Sequence, residues 1–126
     1  MYNCTIRLVL INQNSLMVFD HHKTQNVKFK YQRVECPEPV EGQYYFYILE
    51  CCDNSLYCGS SSILSGRIKE HNTGKAAKWT RERRPVQLVY FEIYDTHLAA
   101  QQRELQVKGW TRAKKENLIF GKWNKQ

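Results

Sequence analysis

No apolar run in this 126-residue chain approaches the ~20 residues that a membrane-spanning helix needs, so no membrane partner is expected. The start, Met1-Tyr2-Asn3-Cys4, lacks the charged segment and small-residue cleavage site of a secretory signal, and a cytoplasmic location follows. Cysteine pairs at metal spacing are missing too. Cys4, Cys36, Cys51, Cys52 and Cys58 contain no CxxC, and His21-His22 does not complete a zinc set. An odd number of thiols in a cytosolic setting points to reduced, structural cysteines. Proline is scarce, and two of the three prolines fall in Cys36-Pro37-Glu38-Pro39-Val40-Glu41-Gly42, which reads as an extended linker.

What is present is enough for one domain, with 42% hydrophobic and 13% aromatic residues to build a core. The formal net charge is +7. Clustered Lys and Arg gain free energy by releasing counterions from a polyanion, so nucleic acid is the expected partner. Residues 1–43 hold five basic and four acidic residues, so +6 of that charge belongs to residues 44–126. In the first part, residues 5–11 and 16–19 read as strands joined by a loop at 12–15, and residues 27–31 alternate apolar side chains with Lys. Residues 1–43 are expected to be an N-terminal extension and linker, poorly packed, with the domain proper at 44–126. The 36–42 segment is similar to peptide produced when bacterial intergenic repeats are translated, which would place the working start further along.

The chain commits itself at Tyr45-Phe46-Tyr47-Ile48-Leu49, a turn at Asp53-Asn54, and Leu56-Tyr57-Cys58-Gly59. Two short runs rich in aromatic and branched residues around a turn signal read as a β-hairpin. A two-residue loop would put Tyr47 and Tyr57 on opposite faces. A three-residue loop, 52–54, with Asn54 left-handed, puts Tyr57 opposite Leu49 and on the face of Tyr47; this register is expected. It also places Cys51 and Cys58 on opposite faces.

After Gly59, Ser60-Ser61-Ser62 offer N-caps for a helix over 63–72 that Gly74 stops. Arg67 and His71 share a face of it, and Gly66 costs ~1 kcal/mol against Ala. Residues 75–84 hold Lys75, Lys78, Arg81, Arg83 and Arg84 with Trp79 among them. A solvated loop is the ordinary reading of such a run; cations interleaved with an aromatic also suit phosphate contact with base stacking. A third strand over 86–91 is followed by a helix over 97–110 capped by Asp95 or Thr96, and by a last one over 112–119 capped by Thr111. Ala100, Glu104 and Val107 lie on one stripe facing the sheet. An inward carboxylate needs a cation or donors, and an ion pair to Arg103 or Lys108 is the alternative use of Glu104.

Tyr-Phe-Tyr followed at this spacing by Tyr-Cys-Gly resembles the motif pair of the GIY-YIG nuclease superfamily, most of all its small single-domain bacterial UPF0213-like members. The likeness extends from Tyr44 to about Ile119 through Arg67, His71-Asn72, Lys75, Ala77-Lys78, Thr80-Arg81 and Gln102-Arg103-Glu104. It implies an α/β (α+β) fold with a small three-stranded sheet, mixed or antiparallel, flanked by helices. It further implies a metal-dependent endonuclease acting on DNA, with RNA left open, in repair, recombination or processing. Glu104 takes the place of the metal-binding carboxylate for one Mg²⁺ or Mn²⁺, and Arg67 that of the arginine on the scissile phosphate. Tyr57 and Tyr47 take the places that position and activate water. A phenol ionises near pH 10, so it needs help to act as a base, and His71 is the alternative base. Many members carry Lys after the second motif's Gly; this chain has Ser60. That departure and Gly66 leave two other readings open: a nucleic-acid-binding module without turnover, and a structural or toxin-associated accessory protein working through its N-terminal segment.

Overall fold

The structure, a computed structural model, describes residues 7–12, 15–19 and 27–122, with side chains from residue 27 onward. The expected strand start at Thr5, Cys4, His21-His22 and the end of the tail lie outside the described residues. Strands β1 (Arg7–Asn12) and β2 (Ser15–Phe19) form an antiparallel hairpin. The second sheet contains β3 (Tyr44–Cys51), β4 (Leu56–Ser61) and β5 (Val86–Tyr94), antiparallel throughout in the order β4-β3-β5. Helices α1 (Leu64–Thr73), α2 (Lys78–Arg81), α3 (His97–Lys108) and α4 (Arg112–Ile119) complete the chain. The α+β class and the three-stranded sheet agree with expectation. The short helix α2 replaces an expected loop.

The hairpin has the three-residue loop. Leu49 pairs with Tyr57 and Tyr47 with Gly59, and Asn54 is left-handed at φ 69. Strand β3 is central and buried on both faces, which explains its unbroken apolar and aromatic sequence. On one face Tyr45, Tyr47, Leu49 and Cys51 pack with Leu64 and Ile68 of α1 and Val86 and Leu88 of β5. On the other, Phe46, Ile48 and Cys58 pack with Val107 of α3 and Leu118 of α4. Cys51 and Cys58 thus lie on opposite faces, and both are free thiols. A bulge in β5 lets Ile48 pair with Tyr90 and Leu49 with Leu88, so that Val89 is extra.

The helix ends follow local chemistry with one departure. Thr96 caps α3 and Thr111 caps α4 through their hydroxyls, and Gly74 ends α1 at φ 84. The N-cap of α1 is Ile63, without a side-chain bond. Ser61 instead accepts from the Ile63 amide at 3.1 Å, closing a turn one step before the helix. Asn72, at the end of α1, behaves like a strand partner. Its Nδ2 donates to the Val86 carbonyl at 3.1 Å and its Oδ1 accepts from the Val86 amide at 2.8 Å. This double bond fixes the last turn of α1, and with it His71, against the sheet.

The expectation of a poorly packed segment fails for residues 28–34. Glu50, fully buried, accepts from the amides of Lys30 (2.6 Å) and Tyr31 (3.0 Å), from Asn54 Nδ2 (2.8 Å) and from Gln87 Nε2 (3.3 Å). Tyr31 is buried in the core beside Phe46 and Leu118; its hydroxyl donates to Glu116 and accepts from Arg112 at 2.9 Å. The Val34 amide reaches the Leu88 carbonyl at 2.8 Å. The pattern of residues 27–31 gave no sign that a carboxylate 20 residues later would collect their amides. Replacing Glu50 by Ala strands the two backbone amides, while Asn54 and Gln87 each lose one acceptor and keep the carbonyls of Lys28 and Tyr31. At 1–3 kcal/mol for each unsatisfied buried group, partly relieved by water, Glu50→Ala should cost about 2–4 kcal/mol, read as a lower urea midpoint together with proteolytic cutting near residue 30.

Candidate active site

The cleft begins with a close approach. A Cβ at Gly59 would lie 2.4 Å from the Tyr47 hydroxyl and 2.6 Å from its Cζ, so the Tyr47 ring crosses β4 only because residue 59 has no side chain. Tyr57, two residues earlier on the same face, lines the same cleft with its ring edge-on to His71, centroids 5.0 Å apart. Because β4 is an edge strand, side chains from both faces of the sheet meet around it. The open cleft of about 530 Å³ is lined by Tyr47, Tyr57, Gly59 and Ser60 from the sheet. Arg67 and His71 of α1, the 75–77 turn, and His97, Gln101 and Glu104 of α3 complete its wall.

His71 is 1% exposed and hydrogen-bonded at both nitrogens, Nε2 to the Tyr47 hydroxyl at 3.0 Å and Nδ1 to Thr80 Oγ1 at 2.8 Å. Burial, with the Arg67 charge second, pulls its pKa down to about 4. The ring is therefore neutral near pH 7 and able to accept a proton. Burial pushes the Tyr47 phenol well up, and the Arg67 guanidinium against the same hydroxyl works in the opposite direction. Arg67 is ion-paired with Glu70, at 2.9 Å, on a half-exposed surface. A pair of that kind is weak, so a phosphate can take the guanidinium over.

Glu104 comes in from the other face of the sheet. Its Oε1 accepts from Ser60 Oγ at 2.7 Å and its Oε2 from Lys108 Nζ at 3.1 Å, while Arg103 is committed to Glu92. Of the two expected uses of Glu104, the ion pair forms, with Lys108, and the same carboxylate lines the cleft. Among the described residues no group of three His, Cys, Asp or Glu side chains is arranged to hold a metal. A lone, partly exposed carboxylate in an open cleft still suits a hard cation of the Mg²⁺ type, which keeps several waters and completes its shell with substrate phosphate oxygens. The donor set fits such an ion and does not fit zinc.

The basic segment is divided by the structure. Lys75 lines the cleft, and Lys78 and Arg81 are exposed on α2. Trp79 stacks on Tyr57, centroids 5.9 Å apart, with the Arg83 guanidinium 4.2 Å from its ring centre. Arg83 is also bonded to Asp53 and to the Trp79 carbonyl, and Arg84 to the carbonyls of Arg81 and Asn72. These last two arginines spend their donors inside the fold, which sequence alone does not reveal. His97 and Gln101, two turns and one turn before Glu104 on the same stripe, also line the cleft, and that helical spacing is the signal for them in the sequence. Thr80 carries no site signal in the sequence. The spacing to Glu104 predicts Lys108 as its ion-pair partner, but the Lys108 position 6.0 Å from the centre of the Tyr57 ring has no signal in the chain.

The chain is 52% identical over 75 residues to a UPF0213 protein of Haloquadratum walsbyi, covering 60% of this chain and 84% of that one. It is 51% identical over 76 residues to a UPF0213 protein of Bacillus pumilus, covering 60% and 78%. The solution NMR structure of a UPF0213 protein from Bacillus halodurans is 42% identical, covers 64% of this chain and 85% of that one, and superposes with a TM-score of 0.43. The family model for the GIY-YIG catalytic domain matches residues 43–117, a span that holds every residue lining the cleft, and the chain therefore belongs to the GIY-YIG family of nuclease domains.

Proposed function

We propose that this protein is a metal-dependent endonuclease that hydrolyses phosphodiester bonds in DNA, directed by substrate shape, in repair, recombination or processing. The observation that carries this reading is the Tyr47–His71 hydrogen bond inside the cleft, with a phosphate-seeking arginine against one side of the phenol and a carboxylate across from it. The attacking water gives its proton to the Tyr47 oxygen as the phenolic proton moves to His71 Nε2, so that neither phenolate nor hydroxide need exist free. Water oxygen bonds to phosphorus, the phosphorus–oxygen bond to the leaving sugar breaks with its electron pair going to the sugar oxygen, which takes a proton from solvent, and Arg67 balances the charge growing on the non-bridging oxygens. A divalent cation, Mg²⁺ or Mn²⁺, held by Glu104 together with phosphate oxygens and water, would supply Lewis-acid stabilisation. Lys75 in the cleft and Lys78 and Arg81, exposed on α2, suit backbone contact. Cations that contact the phosphate backbone favour reading shape over base edges. Trp79 and Arg83 support the cleft wall through Tyr57, with Arg84 behind them.

A labelled panel of single-stranded, duplex, flap and four-way-junction DNAs with Mg²⁺ or Mn²⁺ tests this. Chelation and Glu104→Ala should each abolish cleavage while binding persists, and Arg67→Ala should lower kcat by about 10²–10³-fold. Binding without cleavage of any substrate under either cation would sink the enzyme reading in favour of a binding module. The pH profile is a second test. A base works when unprotonated, so the rate rises with pH through its pKa, and His71 at about 4 leaves kcat/KM without a histidine limb between pH 5 and 7. Bound phosphate neutralises Arg67, the second cause of that low value, so the acid limb in kcat should lie above the one in kcat/KM. An acid limb in kcat/KM near 6.5, the ordinary histidine value, would contradict a buried His71 base.

A further inference from the structure

We propose that Thr80 is a positioning residue that holds His71 in its Nδ1–H tautomer, so that the Nε2 lone pair faces Tyr47. Thr80 is fully buried, in a segment otherwise rich in exposed cations. Its Oγ1 lies 2.8 Å from His71 Nδ1 and 3.0 Å from the Ala77 carbonyl. A hydroxyl has one hydrogen to give and lone pairs to receive with. The carbonyl can only accept, so it takes the Thr80 hydrogen, and the Thr80 lone pair is left for an N–H at Nδ1. A neutral imidazole protonated at Nδ1 has a bare Nε2, and the partner 3.0 Å from that nitrogen is the Tyr47 hydroxyl, which must donate.

The opposite assignment runs Thr80 to Nδ1 and Nε2–H to Tyr47. It leaves the phenolic hydrogen to find another acceptor against Arg67, which has none to offer. The first assignment satisfies every hydrogen in the chain of four groups. The titratable and charged groups around the ring are Tyr47 of β3, Tyr57 of β4, and Arg67 and Glu70 of α1 itself. The partner at Nδ1 is the Thr80 hydroxyl, and that bond sets the tautomer. This also gives α2 a purpose. Its single turn brings residue 80 under the end of α1, where Asn72 already fixes the backbone.

The consequence for turnover rests on the nuclease reading; the tautomer itself does not. The full chain, with histidine labelled with nitrogen-15, is studied by long-range proton–nitrogen correlation spectra, the His71 signals being assigned by their loss in His71→Asn. The expected wild-type pattern is a protonated Nδ1 with a bare Nε2. Thr80→Val should move the pattern toward Nε2–H, and Thr80→Ser should restore it. Cleavage by Thr80→Val should fall about 10–100-fold in kcat, the usual effect of losing a group that orients a functional histidine, with KM unchanged and Thr80→Ser near wild type. A wild-type spectrum with Nε2–H overturns the proposal without any variant having to fold. So does a Thr80→Val spectrum identical to wild type. Altered tautomer with undiminished kcat removes Thr80 from the reaction. The expected tautomer shift in a protein that cuts no DNA leaves Thr80 in place and overturns the nuclease reading instead.

Discussion

The cleft depends on one absence, the missing side chain at Gly59 opposite Tyr47. Cross-strand neighbours on one face of an antiparallel pair sit about 5 Å apart at Cβ, so a large ring at residue 47 ordinarily stands beside whatever faces it. Here it lies over the edge strand and carries its hydroxyl to the far side, where α1 presents His71. Each later feature inherits from that geometry. The Tyr47 phenol meets the His71 ring, His71 is turned by Thr80, and Arg67, one turn before His71, falls against the same oxygen. The pairing of a tyrosine with a glycine across a hairpin is therefore a packing requirement as well as a motif.

The site needs polar groups deep in a small domain, and the fold accommodates them by saturating their hydrogen bonds. His71 and Thr80 are both essentially without solvent contact, yet each has its partners. Glu50 does the same structural work at the other end of β3, where it converts an irregular segment into part of the core. That segment precedes residue 43, where the family match begins. It is an addition in the sense of the match, but residues 28–34 are joined to the hairpin turn, to β5 and to α4. Burying a carboxylate this way rigidifies the turn that sets the Tyr47–Tyr57 register, because Asn54 binds both Glu50 and the Lys28 carbonyl.

The parts legible in the chain are those governed by local rules. Turn chemistry at Asn54 gives the hairpin register, Gly74 and Thr96 give helix ends, and period-two alternation separates Cys51 from Cys58. The motif resemblance singles out Tyr47, Tyr57, Arg67, His71 and Glu104, and all five line one cleft. What escapes is governed by long-range pairing. Glu50 and Thr80 carry no sign of their buried partners in the sequence, and Arg83 and Arg84 read there as phosphate ligands. Their roles come from atoms distant in sequence, such as Asp53 for Arg83, and no periodicity encodes such a meeting. Gly66 remains without a reason: a Cβ there would meet only Ile63, at 3.3 Å.

The serine at residue 60 reads differently once its face is known. Ser60 pairs with Phe46, so its side chain points to α3, away from Tyr47, and its hydroxyl reaches Glu104. A lysine at that position would start from the carboxylate side of β4. In this chain a cation reaches the same region from α3: Lys108 Nζ is 3.1 Å from Glu104 and 6.0 Å from the centre of the Tyr57 ring. Burial raises the Tyr57 phenol and Lys108 opposes that rise, which is the electrostatic work a neighbouring lysine would do. The departure at residue 60 thus removes a charge from the strand while the helix supplies one, and it does not argue against a working cleft.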